Sequence, residues 1–142
     1  MPEFESNDSI PATYISIIVA VRNEEKNVDA LLESLSQQSY SRDLFQVIII
    51  DDYSEDETWN KLTQFNPRGL NTLFTRLSDH TNEGEIIQSH KKKAIETGIK
   101  LAKGTLIVTT DADCLFPVDW LITIARFYEK NNATFIAAPV RI

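Results

Sequence analysis

Thr105-Leu106-Ile107-Val108-Thr109-Thr110-Asp111-Ala112-Asp113 decides how this chain reads. Its first half is an apolar, β-branched run, the composition of a buried strand. It ends in two carboxylates one residue apart. Like charges at this spacing repel, and burying them unpaired costs on the order of several kcal/mol. They call for a cation. Hard oxygen ligands suit Mg²⁺ or Mn²⁺, which take few carboxylates and complete their shell with water and substrate phosphates. A turn with a helix cap is the structural alternative, because aspartate favours both.

A second stretch has the same form. Phe45-Gln46-Val47-Ile48-Ile49-Ile50 is a continuous apolar run, and Asp51-Asp52-Tyr53-Ser54 follows at once. In a parallel sheet the carboxyl ends of strands share one edge, and ligands bind in the crevice outside it. Two acidic turns at two such ends converge on one crevice. Ser54-Glu55-Asp56-Glu57 has the form of a helix-starting capping box, so part of this acidity has a structural use. Asp51 reads equally as a structural residue or a ligand. Asp52 reads as a ligand.

A third strand end comes first in the chain. Tyr14 to Val21 is apolar and turns through Arg22-Asn23-Glu24-Glu25-Lys26-Asn27 into a helix. The chain has four glycines, at 69, 84, 98 and 104, and no G-x-G-x-x-G or G-x-x-x-x-G-K pattern. That argues against a dinucleotide Rossmann site and a P-loop. Phosphate would be handled by metal and basic side chains. Lys91-Lys92-Lys93 puts three cations in the first turn of a helix, against the macrodipole, an arrangement that a nearby anion would relieve; a solvated helix start is the plainer reading.

The remaining periodicities complete an alternating pattern. Val28, Leu31, Leu32 and Leu35 form the apolar stripe of a helix packed on a sheet. Trp59, Leu62 and Phe65 predict a helix ending before Pro67-Arg68-Gly69, and Leu70 to Leu77 a strand. A polar loop covers His80 to Glu85. Ala94, Ile95, Ile99 and Ala102 mark a further helix, with Gly104 as its stop. Pro117 suits the first turn of a helix whose apolar face holds Leu121, Ile124 and Phe127, with Tyr128 alongside. Ala133 to Val140 predicts a fifth strand. Strands alternating with helices imply an α/β fold with a mainly parallel sheet.

Composition sets bounds. A chain of 142 residues buries one core and makes one domain. The net charge of −7, from 14 basic and 21 acidic residues, argues against a nucleic-acid surface and agrees with a site that recruits a divalent cation. The single cysteine, Cys114, allows no internal disulfide and suits a reducing compartment; it reads as a small packed residue. His80 and His90 read as solvated, as does Glu129 near the end of its helix. The longest apolar stretch falls far short of the ~20 residues that span a bilayer. The acidic N-terminus is no secretory signal, and residues 1–13 read as a flexible leader. These features set the expectation of a cytoplasmic protein.

Four blocks together resemble family 2 glycosyltransferases. They are Ile17-Ile18-Val19-Ala20-Val21-Arg22-Asn23-Glu24-Glu25, Val47 to Thr58, Lys91 to Ile99, and Ala102 to Asp113. The resemblance runs from about Tyr14 to Ile142. It implies the A-type glycosyltransferase fold, a Rossmann-like three-layer sandwich of the nucleotide-diphospho-sugar transferase type. It also implies inverting transfer from a nucleotide-diphosphate sugar, a UDP-sugar for preference, to an acceptor hydroxyl. By the same resemblance Asp113 holds a Mg²⁺ or Mn²⁺ ion that bridges the diphosphate. Asp111 faces the ribose or shares the metal shell, and Asp52 accepts a hydrogen bond from the base. Ala20, Arg22 and Glu24 line the base and ribose, and Lys91 lies near the diphosphate. The family often has proline at the position of Ala20 and tyrosine at that of Arg22; arginine can stack on a base or pair with phosphate.

The family's catalytic domain is longer. Residues 14–142 are therefore expected to be its truncated nucleotide-sugar half, inactive in transfer alone, with the general base beyond Ile142. An exposed edge at Ala133 to Val140 would favour self-association, and membrane helices could lie outside this stretch. Two alternatives fit less well. A sugar nucleotidyltransferase would carry a glycine-rich basic loop near its start, which is missing. A phosphoacceptor receiver domain would place its acidic pair after the first strand and a Lys-Pro near the end.

Overall fold

The structure, a computed structural model, describes residues 10–131. Four strands alternate with four helices: β1 (Ile15–Val21), α1 (Val28–Ser36), β2 (Phe45–Asp51), α2 (Thr58–Gln64), β3 (Thr72–Arg76), α3 (His90–Leu101), β4 (Leu106–Thr110) and α4 (Trp120–Asn131). The sheet order is β3-β2-β1-β4, and every neighbouring pair is parallel. This is the expected α/β architecture. The predicted strand over 133–140, its self-association edge and the first nine leader residues lie outside the described residues.

The β1 and β2 side chains alternate between two covered faces. Ile15, Ile17, Val19 and Val21 join Phe45, Val47 and Ile49 in a large core with Leu31, Leu32 and Leu35 of α1, Leu62 of α2 and Trp120, Leu121 and Ile124 of α4. Each fully buried leucine there contributes about 1.5–3 kcal/mol. On the other face Ile18, Ile48 and Ile50 meet Ala94 of α3 and Leu77. Helices on both faces make three layers. The run at β4 was expected to be buried throughout, but β4 is the edge of the described sheet. Its Leu106 and Val108 are buried, while Ile107 remains 38% exposed.

The buried face of α3 differs from the expected one. Ala94, Thr97 and Gly98 face the sheet, whereas Ile99 is 44% exposed. Gly98 sets that rotation, because a Cβ there would lie 2.6 Å from Ile18 Cγ2 and 2.8 Å from Ile50 Cδ1. Gly104 is not the helix stop either. The cap is Ala102, in extended backbone. A Cβ on Gly104 would lie 2.6 Å from the Ser16 nitrogen, so its role is close backbone approach. The Gly104 N–H donates to Ser16 Oγ at 2.8 Å, and Ser16 Oγ donates to Gln46 Oε1 at 2.6 Å, which satisfies two buried polar side chains.

Other boundaries shift for local reasons. β3 ends at Arg76, and Leu77–His80 forms a 3-10 turn. Phe65 caps α2 and packs on the core from outside the helix. Pro117 precedes α4, its carbonyl accepting from Trp120 N at 3.0 Å and from Gln38 Nε2 at 2.7 Å. Phe127, expected on the apolar face, is half exposed. Glu129 is not merely solvated: its Oε2 accepts from the Ala12 and Thr13 N–H groups, both at 3.0 Å, and from Thr13 Oγ1. Those bonds, led by the Thr13 hydroxyl, hold its carboxyl below the ordinary glutamate value. Tyr40 donates to the Thr13 carbonyl at 2.7 Å, and burial, helped by Glu129, pushes its phenol up to about 12. Ala12 and Thr13, at the end of the stretch read as a leader, are thus held by α4 and Tyr40. Among the described residues no helix is long and apolar enough to cross a membrane.

Candidate functional site

The parallel register brings three strand ends to one edge. Val21 pairs with Asp51, and Val19 pairs with Thr110. The residues that follow these strands therefore share a crevice, the place where open α/β sheets bind ligands. A cleft of about 450 Å³ opens there, lined by Ala20, Val21, Arg22, Glu24, Asp52, His90, Lys91, Asp111, Ala112 and Asp113. It holds all seven residues singled out from the sequence: Ala20, Arg22, Glu24, Asp52, Lys91, Asp111 and Asp113.

The two loops beside β1 and β2 brace one another. Asn23 and Tyr53 take left-handed backbone, with φ of 52° and 56°. Such conformations persist where surrounding bonds over-determine them. Here Asn23 N donates to Ser54 Oγ at 2.9 Å and Glu55 N to Asn23 Oδ1 at 2.7 Å. Glu24 N donates to Thr58 Oγ1 at 2.8 Å, and Glu57 N to Glu25 Oε1 at 3.0 Å. The expected Ser54–Glu57 capping box does not form. Ser54 is spent on Asn23, and α2 begins at Thr58, whose N–H and hydroxyl both donate to Asp56 Oδ1. Burial pushes the Asp56 carboxyl up, but the Thr58 and Glu25 bonds outweigh it and hold it below its ordinary value.

The two aspartates at the end of β2 part company. Asp51 shares the sheet face of Ile49, is buried, and does not line the cleft; its Oδ1 has no hydrogen-bond partner. Asp52 does line it. Its backbone N–H is tied to the Val21 carbonyl at 2.8 Å, and the residue is only 4% exposed. His90 Nδ1 lies 2.7 Å from Asp52 Oδ1, and Arg22 NH1 lies 4.0 Å from Oδ2. An ionised carboxylate only accepts, so Nδ1 carries the proton of this bond. The solvated reading of His90 is thus corrected: it lies on the cleft and holds a buried carboxylate. His80, also read as solvated, bonds through Nε2 to Thr75 Oγ1 at 2.8 Å. The signal for His90 was its place beside Lys91 at a helix start on the ligand edge; what hid it was the absence of any pattern linking residues 38 apart.

The turn after β4 is more open. Lys91, in the first turn of α3, reaches Asp111 Oδ1 at 2.6 Å, and Asp113 is exposed. Lys93 pairs with Glu85 at 3.6 Å, so the three lysines do not act as one patch. Cys114 is buried, as expected of a packed residue. Among the described residues no three His, Cys, Asp or Glu side chains form a ready-made metal cage. Asp111 and Asp113 supply hard oxygen donors on one turn, a set that suits a cation whose shell is mostly water and phosphate. Glu24 serves the fold as well as the cleft, since its Oε1 accepts from Asn27 Nδ2 at 2.8 Å where α1 begins.

Known proteins resemble this chain in sequence and in fold. Over 108 residues the chain is 27% identical to the glycosyltransferase AglE of Haloferax volcanii, covering 76% of this chain and 33% of AglE. It is 28% identical over 126 residues to the poly(ribitol-phosphate) beta-N-acetylglucosaminyltransferase TarS of Staphylococcus aureus, covering 89% of this chain and 21% of TarS. The chain thus spans a fifth to a third of these relatives' length. The crystal structure of S. aureus TarS 1-349 in complex with UDP superposes with a TM-score of 0.69 at 28% identity, over 84% of this chain and 33% of that one. The mannosyltransferase PcManGT of Pyrobaculum calidifontis, in complex with GDP-Man and Mn²⁺, superposes with a TM-score of 0.71 at 25% identity, over 82% of this chain and 32% of that one. The fold is that of the A-type glycosyltransferases. The sequence profile of glycosyl transferase family 2 matches residues 16–142, and the chain belongs to that family.

Proposed function

We propose that this cleft binds a nucleotide-diphosphate sugar, a UDP-sugar for preference, as donor for inverting transfer to an acceptor hydroxyl. The observation that carries the reading is the convergence of Arg22, Asp52, Lys91, Asp111 and Asp113 on one cleft at the carboxyl edge of the sheet. The solved relatives bound to UDP and to GDP-Man with Mn²⁺ support it.

Each side chain has a role its position allows. Asp52 keeps Oδ2 for an N–H of the base while His90 occupies Oδ1. Arg22, half exposed beside it, stacks on the base or pairs with phosphate. Ala20 and Glu24 line the base and ribose side. Lys91 carries its positive charge toward the diphosphate from the pair with Asp111. Asp113 and Asp111 would hold Mg²⁺ or Mn²⁺. Such an ion supplies Lewis-acid stabilisation of the departing diphosphate. The four carboxylates on the cleft all serve the donor in this reading. The base that takes the acceptor's proton is therefore not among the lining residues, and residues 1–142 alone bind donor without transferring sugar at a useful rate.

Titration calorimetry of UDP with and without Mn²⁺, and again with chelator, tests the reading. Binding that requires the ion is expected. Equal affinity under all three conditions would remove the metal from the scheme, and no binding at all would remove the function.

A further inference from the structure

The geometry points to His90 as a positioning residue that sets base selectivity by fixing the rotamer of Asp52. This rests on the reading of Asp52 as the acceptor for the base. Four side chains from three parts of the chain form one line. Thr81 Oγ1 and the Tyr53 hydroxyl are 2.9 Å apart. The Tyr53 ring meets His90 edge-on, with centroids 5.5 Å apart at 76°. His90 Nδ1 then binds Asp52 Oδ1 at 2.7 Å.

Each link constrains the next. The bond between the Tyr53 hydroxyl and Thr81 Oγ1 holds the far end of the ring and keeps its edge contact with His90. His90 is the first residue of α3, anchored by a helix that packs directly on Ile18 and Ile50 through Gly98. It is rigidly placed relative to the sheet that carries Asp52. With Oδ1 committed to His90, the carboxylate cannot rotate freely, and one oxygen is left for the cleft. That oxygen can accept from a base with a ring N–H beside its carbonyls, as uracil has. It repels a base such as cytosine, which presents a lone pair at the same place. A freely rotating carboxylate would lose that distinction in part, because it could turn away from the mismatch and let a water bridge to the base.

The test compares UDP with CDP, each with Mn²⁺, by calorimetry. Both share ribose and diphosphate, so a merely structural role for His90 would not move their ratio. The wild type is expected to prefer UDP. His90→Leu should weaken UDP by about tenfold and leave CDP nearly unchanged. His90→Asn, which restores a donor near the same place, should recover most of the preference. Tyr53→Phe keeps the ring, removes the bond to Thr81, and should cost UDP about threefold; it reads the same ratio if His90→Leu does not fold. Asp52→Ala is the reference. If it erases the preference while His90→Leu and Tyr53→Phe keep it, His90 does not position the base acceptor. If Asp52→Ala itself keeps the preference, the base reading of Asp52 fails and the role of His90 falls with it.

Discussion

β2 ends on Asp51, with Asp52 next, and β4 runs into Asp111-Ala112-Asp113, yet the two turns are built in opposite ways. The β2 turn is closed. Asp52 is 4% exposed, bonded to His90, and set in a loop cross-braced to the β1 loop by Asn23, Ser54, Glu55 and Glu57. The β4 turn is open. Asp113 is exposed, and Asp111 meets a lysine whose side chain is 62% exposed. A buried carboxylate with one committed oxygen suits discrimination, because its geometry is set before a ligand arrives. An exposed pair suits a cation that brings its own water and phosphate ligands. Position in the sheet produces the difference. β2 is an inner strand with α3 over its end, whereas β4 is the edge of the described sheet.

The largest effect expected of this contrast lies on the open side. Asp113→Asn should weaken UDP binding in Mn²⁺ by about 100-fold, about 2.7 kcal/mol, and make chelator irrelevant. Its melting temperature should hardly move, since the residue is exposed. Unfolding of this variant in a thermal scan would break the contrast. On the closed side, Asp52→Ala should cost about 1–3 kcal/mol of UDP binding, leave Mn²⁺ affinity alone, and also lower stability by about 1 kcal/mol, because His90 loses its acceptor. Calorimetry paired with thermal denaturation separates the two effects; a binding loss without any stability loss would mean that the turn is less closed than it looks.

Lys91→Met comes next. It should weaken UDP with Mn²⁺ about fivefold. The exposed pair with Asp111 makes only a small contribution to stability, about 0–1 kcal/mol, so denaturant midpoints should barely change. A large stability loss would give Lys91 a structural role. The smallest effect is pH dependence at Asp56. Its folded carboxyl lies below the ordinary value of 3.8, so its contribution is complete above that value and lost as pH falls through the lower folded value. Asp56→Asn should flatten the acid limb of the stability profile below about pH 4. An unchanged limb would mean that the Thr58 and Glu25 bonds do not discriminate between charged and neutral forms.

Much of the site was readable because it lies in local patterns. An apolar run followed by Asp-x-Asp, or by Asp-Asp, names a strand and the turn after it in one reading. Parallel pairing then puts those turns on one edge without further information. What escaped was set by distant partners. His90 looked solvated because its acceptor is 38 residues away in sequence. Glu129 looked solvated because its donors, Ala12 and Thr13, belong to a segment with no periodicity at all. The Ser54–Glu57 box failed because Asn23, from another loop, claimed the serine. Gly104 was read as a helix stop, and Gly98 drew no reading, for a related cause. Gly98 and Gly104 matter through what a Cβ would strike on β1 and β2, and helix periodicity carries no trace of that.

By itself, then, the sequence determined the alternation of strands and helices, the parallel sheet and the acidic turns of Asp52, Asp111 and Asp113, because hydrophobic period and strand-end chemistry act over a few residues; Ala20, Arg22, Glu24 and Lys91 were named by the family resemblance. Only the tertiary structure decided which carboxylate would be held and which left open, which face α3 would bury, and which histidine would enter the site. Those outcomes depend on the separation of groups brought together by packing, and such distances are set by the whole fold rather than by neighbours along the chain.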